Sequence, residues 1–216
     1  MKKEKVEKFL EKELWWDRKL KIQTVGRDDS MEDVYHHPYE PTPYCVLERL
    51  AESGYIQRDN IVVDYGCGKG RVGFSLQKGL GCDSIGVEFD ENTWQQAQEN
   101  VRTSGCDNAV TFVCSDAAVY EVVVGDRFYF FNPFSVEVLR SVLGRILNSY
   151  YEDPREMLLF FYYPDEEYVA ENYLYFCAKD PESGELHFSR TLQEHEQAVS
   201  IYAPLWKQYD AQRGIQ

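Results

Sequence analysis

Short apolar runs alternate with amphipathic segments along most of this chain, and the alternation predicts a parallel β-sheet covered by helices. The predicted strands are 60–65, 84–88, 109–114, 127–131 and the dense apolar run 156–163. The predicted helices are 44–53, 70–80, 91–104 and 135–150. A dense apolar run such as 156–163, in which Glu156 is the one charged residue, is typical of a strand buried on both faces. The pattern therefore predicts an α/β domain.

Each end of the chain carries a different pattern. Residues 3–20 have apolar side chains at helical spacing with Lys and Glu interleaved, which predicts an amphipathic helix with a solvated charged face. We expect this helix to lie on the domain or on a partner. Near the other end, 173–179 and 198–203 are predicted to form a closing antiparallel pair, joined through a turn or loop at 181–184.

The first predicted strand ends in an acid and runs into three alternating glycines, Asp64-Tyr65-Gly66-Cys67-Gly68-Lys69-Gly70. Glycine has no Cβ and takes positive φ readily, so this loop brings main-chain N–H groups within contact distance of a ligand. The helix that follows presents its N-terminus to the same place. The loop therefore predicts a site for a nucleotide-type cofactor.

Polar residues also follow the next three predicted strands. Glu88 ends the second strand, 18 residues after Gly70, about where a carboxylate binds ribose hydroxyls in nucleotide-binding folds. Asp116 follows the third strand and Asn132 follows the fourth. Ligands of open parallel sheets bind at the carboxyl ends of the strands, where the strand order reverses. We therefore expect these residues to converge with Asp64 on one crevice.

At these motifs the chain resembles the class I S-adenosylmethionine-dependent methyltransferases. The resemblance implies an α/β fold with a Rossmann-like, doubly wound, mostly parallel seven-stranded sheet whose last strand is reversed, plus the N-terminal helix. It divides the chain into the helix with a lid segment, 1–38, and the methyltransferase domain, 39–216. The implied cofactor residues are Asp64, Tyr65, Gly66, Cys67, Gly68 and Gly70 for the methionine part, Glu88 with Phe89 at the ribose, Asp116 and Ala117 at the adenine, and the lid contacts Tyr39 and Thr42.

A narrower resemblance is to bacterial methyltransferases of unassigned substrate. It is carried by Lys21–Gly26, by Tyr39–Pro43, by the glycine loop and by Asn132-Pro133-Phe134, and Cys67 stands where such relatives have Ser. In related amino-methylating families an Asn or Asp, two prolines and an aromatic residue bind the target amine, and this chain has one proline there. Asn132, Pro133 and Phe134 are therefore candidate catalytic residues toward a nitrogen acceptor. The alternative is a turn that caps the next helix near Ser135.

Two other function classes stay open beside a methyltransferase that uses S-adenosylmethionine. Residues 68–73 satisfy the dinucleotide fingerprint G-x-G-x-x-G, which permits an NAD-dependent oxidoreductase. The register disfavours this class, because these glycines begin four residues after Asp64 and Gly73 falls inside the predicted helix. The third class is a non-catalytic scaffold that keeps the cofactor fold, which an acidic surface and an amphipathic helix permit.

Composition narrows the partners and the setting. At 216 residues and 44% hydrophobic, the chain suffices for one domain with a sizeable core. The formal net charge of −14 repels polyanions, so we expect a protein or small-molecule acceptor rather than nucleic acid. We expect no membrane span, no secretory signal and no metal site, and six cysteines without a C-x-x-C pair predict reduced thiols in a cytoplasm. The sequence leaves the oligomeric state open.

Overall fold

The computed structural model describes residues 2–26, 39–106, 108–162, 175–178 and 186–189, together with positions 197, 200, 201, 204 and 205. Its helices are α1 (Lys2–Leu20), α2 (Tyr44–Glu52), α3 (Arg71–Leu80), α4 (Glu91–Ser104) and α5 (Val136–Glu152). Its strands are β1 (Ile61–Tyr65), β2 (Asp83–Glu88), β3 (Val110–Cys114), β4 (Arg127–Phe130), β5 (Leu158–Phe161), β6 (Tyr175–Ala178) and β7 (Leu186–Ser189). The elements predicted between residues 44 and 152 are all present, with small differences at their ends. Of the predicted lid segment, residues 27–38 lie outside the described residues.

The first five strands form one parallel sheet in the order β3-β2-β1-β4-β5. The strand order reverses at β1, since the chain builds outward to β2 and β3 on one side and to β4 and β5 on the other. The carboxyl ends of β1 and β4 therefore border the crevice in which open α/β sheets bind ligands. This confirms the α/β, Rossmann-like parallel fold. The seven-stranded sheet and its reversed last strand stay predictions.

Helices cover both faces of the sheet because successive side chains of a strand point to opposite faces. Val62 of β1 belongs to the apolar cluster beneath α2, α3 and α4, whereas Val63 and Tyr65 pack with the apolar residues of α5. On the α5 face the ring of Phe130 is stacked on Tyr65 at 5.1 Å and on Phe161 at 4.8 Å between centroids. These rings tie β1, β4 and β5 together directly below the ends that border the crevice.

Helix α1 docks on the domain through polar contacts. Lys12 Nζ lies 2.6 Å from Glu48 Oε2 on α2. Glu13 and Asp17, one helical turn apart, are only 4% and 5% exposed, and both are ion-paired with Arg71. The prediction of a solvated charged face, which was made for the Lys and Glu residues, is therefore wrong at Glu13. The physical reason is the cation Arg71, which packing brings against α1. The sequence alone does not show that Arg71 lies there.

Strand β6 pairs antiparallel with β7 in a separate two-stranded sheet. The strand predicted at 173–179 is present as β6, but its predicted partner at 198–203 is wrong, because positions 200 and 201 are helical. Ser200 Oγ donates to the carbonyl of Gln197 at 2.6 Å, a local bond that favours a helical turn. Pairing with the nearer segment also closes a shorter loop and costs less chain entropy. The predicted turn at 181–184 lies outside the described residues.

Candidate cofactor and active site

The glycine loop after β1 has a backbone that glycine alone adopts easily. Gly66, Gly68 and Gly70 have φ values of 68°, 56° and 87°, in the left-handed region. A Cβ at Gly66 would clash with Pro133, and a Cβ at Gly68 would clash with the ring of Tyr39. The loop is thus held between the segment after β4 on one side and the segment before α2 on the other.

Asp64, the last but one residue of β1, is a buried carboxylate with an unused acceptor. The residue is 3% exposed and its Oδ2 atom has no hydrogen-bond partner. Burial raises the pKa of this carboxyl well above its ordinary value, and the negative charge of Glu88 raises it further. A buried acceptor without a donor costs free energy, so the arrangement is suited to a ligand that brings a donor or a positive charge.

Glu88, the last residue of β2, accepts hydrogen bonds from the loop. The N–H of Gly68 donates to its Oε2 at 2.8 Å and the N–H of Asp90 donates to its Oε1 at 3.0 Å. Burial raises the pKa of Glu88, while these two N–H donors act in the opposite direction. Each carboxylate oxygen has a second lone pair, so Glu88 keeps the capacity to accept from hydroxyl groups.

The segment before α2 covers the loop. Tyr39 Oη donates to the carbonyl of Thr24 at 2.6 Å, and Lys69 Nζ lies 4.8 Å from the centroid of the Tyr39 ring. Thr42 Oγ1 lies 3.1 Å from Tyr129 Oη, where β4 ends. Both predicted lid contacts therefore lie at the cleft, and each is attached to a different part of the domain.

The segment Asn132-Pro133-Phe134 borders the same cleft. Asn132 has a φ of 42°, which is uncommon for any residue other than glycine and costs backbone free energy. Phe134 is 3% exposed and makes an edge contact with Phe130 at 6.3 Å between centroids. Ser135 is the N-cap residue of α5 without a side-chain capping bond. The structure thus has Asn132, Pro133 and Phe134 at the cleft, Ser135 gives α5 no side-chain cap, and the catalytic role of this segment stays a prediction.

These elements enclose one cleft with a cavity volume of about 110 Å³. The predicted site residues that line it are Tyr39, Thr42, Asp64, Gly66, Cys67, Gly68, Glu88, Phe89, Ala117, Asn132, Pro133 and Phe134. The carboxyl ends of β1, β2 and β4 therefore bring together most of what the motifs predicted.

Three predicted site residues do not line the cleft. Tyr65 points to the opposite face of the sheet, where it stacks on Phe130. Gly70 is the N-cap residue of α3, and a Cβ there would clash with the ring of Phe112. The Oδ1 atom of Asp116 accepts from the N–H of Ala118 at 2.8 Å, so this side chain closes its own turn. Its assignment to an adenine stays a prediction, and the neighbours of Asp116 line the cleft instead.

Sequence reasoning missed several lining residues. They are Glu40, Pro41, Arg71, Val72, Asp90, Thr93, Ser115, Tyr129 and Phe131. Most of them are next to a predicted site residue, so adjacency to a motif was the signal that would have found them. Val72, Thr93 and Tyr129 are different, because their approach to the cleft depends on how α3, α4 and β4 pack. Among the described residues, no group of three or more His, Cys, Asp and Glu side chains is arranged to hold a metal ion.

Comparison with known proteins assigns this segment. Residues 62–140 match a family model described as a methyltransferase domain. The match runs from β1 into α5 and contains the glycine loop, Glu88 and Asn132, so this part of the chain is similar to a methyltransferase domain. The order of strand-end motifs predicted a methyltransferase.

One curated relative is a protein-lysine N-methyltransferase of Saccharolobus islandicus (strain REY15A), 33% identical over 84 residues. The aligned part is 38% of this chain, and the chain spans about half, 52%, of the relative's length.

Solved structures are similar at low identity. An RNA methyltransferase from Salinibacter ruber in complex with S-adenosyl-L-homocysteine is 22% identical with a TM-score of 0.41, covering 52% of this chain and 70% of that one. TYW2 of P. horikoshii in complex with MeSAdo is 21% identical with a TM-score of 0.36, covering 42% and 34%. Similarity at these identities and TM-scores says nothing about the substrate of this chain.

The cofactor that the motifs predicted is S-adenosylmethionine, and the residues of the cleft fit it on their own evidence. The unpartnered Oδ2 of Asp64 suits the ammonium group of the methionine part. Glu88 suits the ribose hydroxyls, and the exposed ring of Phe89 lies beside it at the cleft. These residues would therefore hold the cofactor.

Proposed function

We propose that this chain is an S-adenosylmethionine-dependent methyltransferase that methylates a nitrogen of a protein or small-molecule acceptor. The observation that carries the proposal is the buried, unpartnered carboxylate oxygen of Asp64, which faces the cleft beside Glu88 behind the glycine loop. In a scaffold without a ligand such a group would only lower the stability of the fold, whereas in a site for a cationic cofactor it can pair with the ligand's positive charge.

Methyl transfer requires the protein mainly to position the acceptor relative to the cofactor. When bound, S-adenosylmethionine supplies a methyl group on a positively charged sulfur. The chain must hold the acceptor's lone pair in line and exclude water, which aromatic and proline side chains at the cleft support. In our proposal the side-chain amide oxygen of Asn132 accepts a hydrogen bond from the acceptor amine. The φ of 42° at Asn132 supports this role, because backbone strain of this kind clusters at functional sites.

The charges around the cleft favour an amine over a phosphorylated acceptor. Its lining carries the carboxylates of Glu40, Asp64, Glu88 and Asp90. Arg71 is the cation among the described lining residues, and it is paired with carboxylates of α1. A lysine side chain is therefore the first acceptor to test, and the lysine methyltransferase named among the relatives supports this choice.

The same proposal includes a location in the cytoplasm and a sheet of seven strands. Among the described residues, no helix combines the length and apolar character that a membrane span needs. Cysteines 45, 67, 82, 106 and 114 are free thiols in the described part, which supports a reducing cytoplasm. The seven-stranded sheet with a reversed last strand belongs to this proposal as well, with the five-stranded part as its support.

Isothermal titration with S-adenosylhomocysteine, S-adenosylmethionine and NAD tests the cofactor. We expect both adenosyl ligands to bind and Glu88→Ala to lose binding, with Glu91→Ala, an exposed glutamate in the first turn of α4, as the matched control. Binding of NAD alone would make the chain an oxidoreductase.

Transfer of a tritiated methyl group to a lysine-containing peptide, free lysine or RNA then tests the acceptor. We expect label in the peptide or the free amino acid. Cofactor binding without transfer to any acceptor in a wider panel would favour a scaffold.

A further inference from the structure

We infer that Asp17 of α1 is a positioning residue of the cofactor cleft, acting through Thr24 and Tyr39. The inference rests on the proposed function, because it concerns how the same cleft binds S-adenosylmethionine. Asp17 does not itself line that cleft. Through this positioning role of Asp17, α1 becomes part of the cofactor site. The sequence indicated only a helix that packs on the domain or on a partner.

Asp17 is the acceptor for an unusual number of donors. Its carboxylate accepts from the backbone N–H of Thr24 at 2.5 Å, from Thr24 Oγ1 at 2.7 Å and from the N–H of Val25 at 3.0 Å. Tyr44 Oη, at the start of α2, donates to it at 2.6 Å. Charge-assisted bonds of this kind are strong, so Asp17 fixes the backbone that follows α1.

Arg71 supplies the counter-charge and connects this group to the glycine loop. Its Nε donates to Thr24 Oγ1 at 2.7 Å and its Nη1 donates to the carbonyl of Thr42 at 3.1 Å. It is ion-paired with Glu13 and, at 3.6 Å, with Asp17. Arg71 is 3% exposed. Buried charges are stable only when each is paired, so these side chains hold their arrangement as a unit.

The path from this unit to the cleft is a chain of contacts. The carbonyl of Thr24 accepts from Tyr39 Oη at 2.6 Å. The ring of Tyr39 packs against Gly68 so closely that a Cβ there would clash with it. The N–H of Gly68 in turn donates to Glu88 at 2.8 Å. Asp17 therefore fixes the position of Thr24, and Thr24 fixes that of Tyr39. The ring of Tyr39 packs on the glycine loop, which donates a hydrogen bond to Glu88, the residue proposed to bind the ribose.

The first test is the affinity for S-adenosylhomocysteine, measured by titration calorimetry on the full chain. Asp17→Asn keeps the shape of the side chain but turns a donor toward N–H groups, so we expect binding about tenfold weaker, equivalent to about 1.4 kcal/mol. Lys12→Gln is the matched control, because Lys12 also docks α1, through Glu48, but does not line the cleft. We expect this control to bind like the unaltered chain.

A double-mutant cycle separates positioning from general destabilisation. Tyr39→Phe keeps the ring on Gly68 and removes only the bond to Thr24. If Asp17 acts through that bond, Asp17→Asn weakens binding far less in the Tyr39→Phe background than in the unaltered chain. Equal losses in the two backgrounds would overturn the inference, because a merely structural role is additive.

Circular dichroism at the titration temperature verifies that each variant is folded. If Asp17→Asn is unfolded, Thr24→Val removes the hydroxyl between Asp17 and Arg71, and Thr24→Ser restores it. We then expect weaker binding for Thr24→Val and recovery for Thr24→Ser. A folded Asp17→Asn or Thr24→Val with unchanged affinity overturns the inference alone. If the unaltered chain binds neither adenosyl ligand, the proposed function fails and the inference fails with it.

Discussion

Asp64→Asn is expected to stabilise the free protein and to weaken its binding of cofactor. In the free protein the Asp64 carboxylate is buried, Oδ2 has no donor, and Glu88 adds repulsion. The asparagine side chain keeps the size and removes the charge. The same change removes the group that suits the cofactor's ammonium, so stability and binding are expected to move in opposite directions.

The expected magnitude follows from the missing partner. A buried neutral polar group without a hydrogen bond costs roughly 1–3 kcal/mol, and a charged group costs more. Because asparagine is still polar, we expect a gain in the free energy of unfolding of about 1–2 kcal/mol at neutral pH. For a chain of this size that raises Tm by roughly 2–8 °C.

The sign of the pH dependence follows from the raised pKa of Asp64. In the unfolded chain the carboxyl loses its proton near its ordinary pKa, about 4, whereas the folded protein keeps the proton to higher pH. The folded state then binds more protons, so stability falls as pH rises from the unfolded pKa through the folded one. Asp64→Asn removes this loss. Below about pH 4 both proteins hold a neutral side chain here, and their stabilities are expected to converge.

Thermal unfolding followed by circular dichroism over a pH series measures this difference. Asp83→Asn, an exposed aspartate at the opposite end of β2, is the matched control and is expected to leave Tm unchanged. A lower Tm for Asp64→Asn at neutral pH, or an unchanged slope of Tm against pH, would refute the argument. Tighter binding of S-adenosylhomocysteine by this variant would refute the assigned role.

Three further variants test the loop and the segment after β4. Glu88→Ala should weaken binding of S-adenosylhomocysteine by about 1.5–3 kcal/mol in calorimetry. Unchanged affinity would show that Glu88 does not bind the ribose hydroxyls. Gly66→Ala should lower the urea-unfolding free energy by about 1–3 kcal/mol, and by more than Gly105→Ala, which has a similar φ of 74° but open space around its Cβ. Equal losses would mean that the contact with Pro133 is easily relieved. Asn132→Ala should slow methyl transfer and leave cofactor affinity nearly intact, whereas normal turnover would leave Asn132 a turn residue only.

Local sequence patterns were sufficient for the elements around the cleft. The strands β1 to β4 and the helices between them are present near their predicted bounds because their apolar spacing and glycine stops agree with one another. Glu88 and Asn132 could be found in the same way, since a residue that ends a parallel strand is directed to the ligand edge whatever the details of packing. The partner of β6 could not be found, because several apolar segments compete for it and the nearer one wins on loop entropy.

The sequence by itself determined the order of strands and helices from α2 to α5, the glycine loop and the acids near the carboxyl ends of β1 and β2, because each of these depends on residues close together in the chain. The tertiary structure decided which side chains lack partners and which distant ones meet. Asp17 and Arg71 read as ordinary charged positions until packing brings α1 against α3 and removes water from both. The unused oxygen of Asp64 and the strained backbone of Asn132 are likewise visible only once neighbours from other elements are in place.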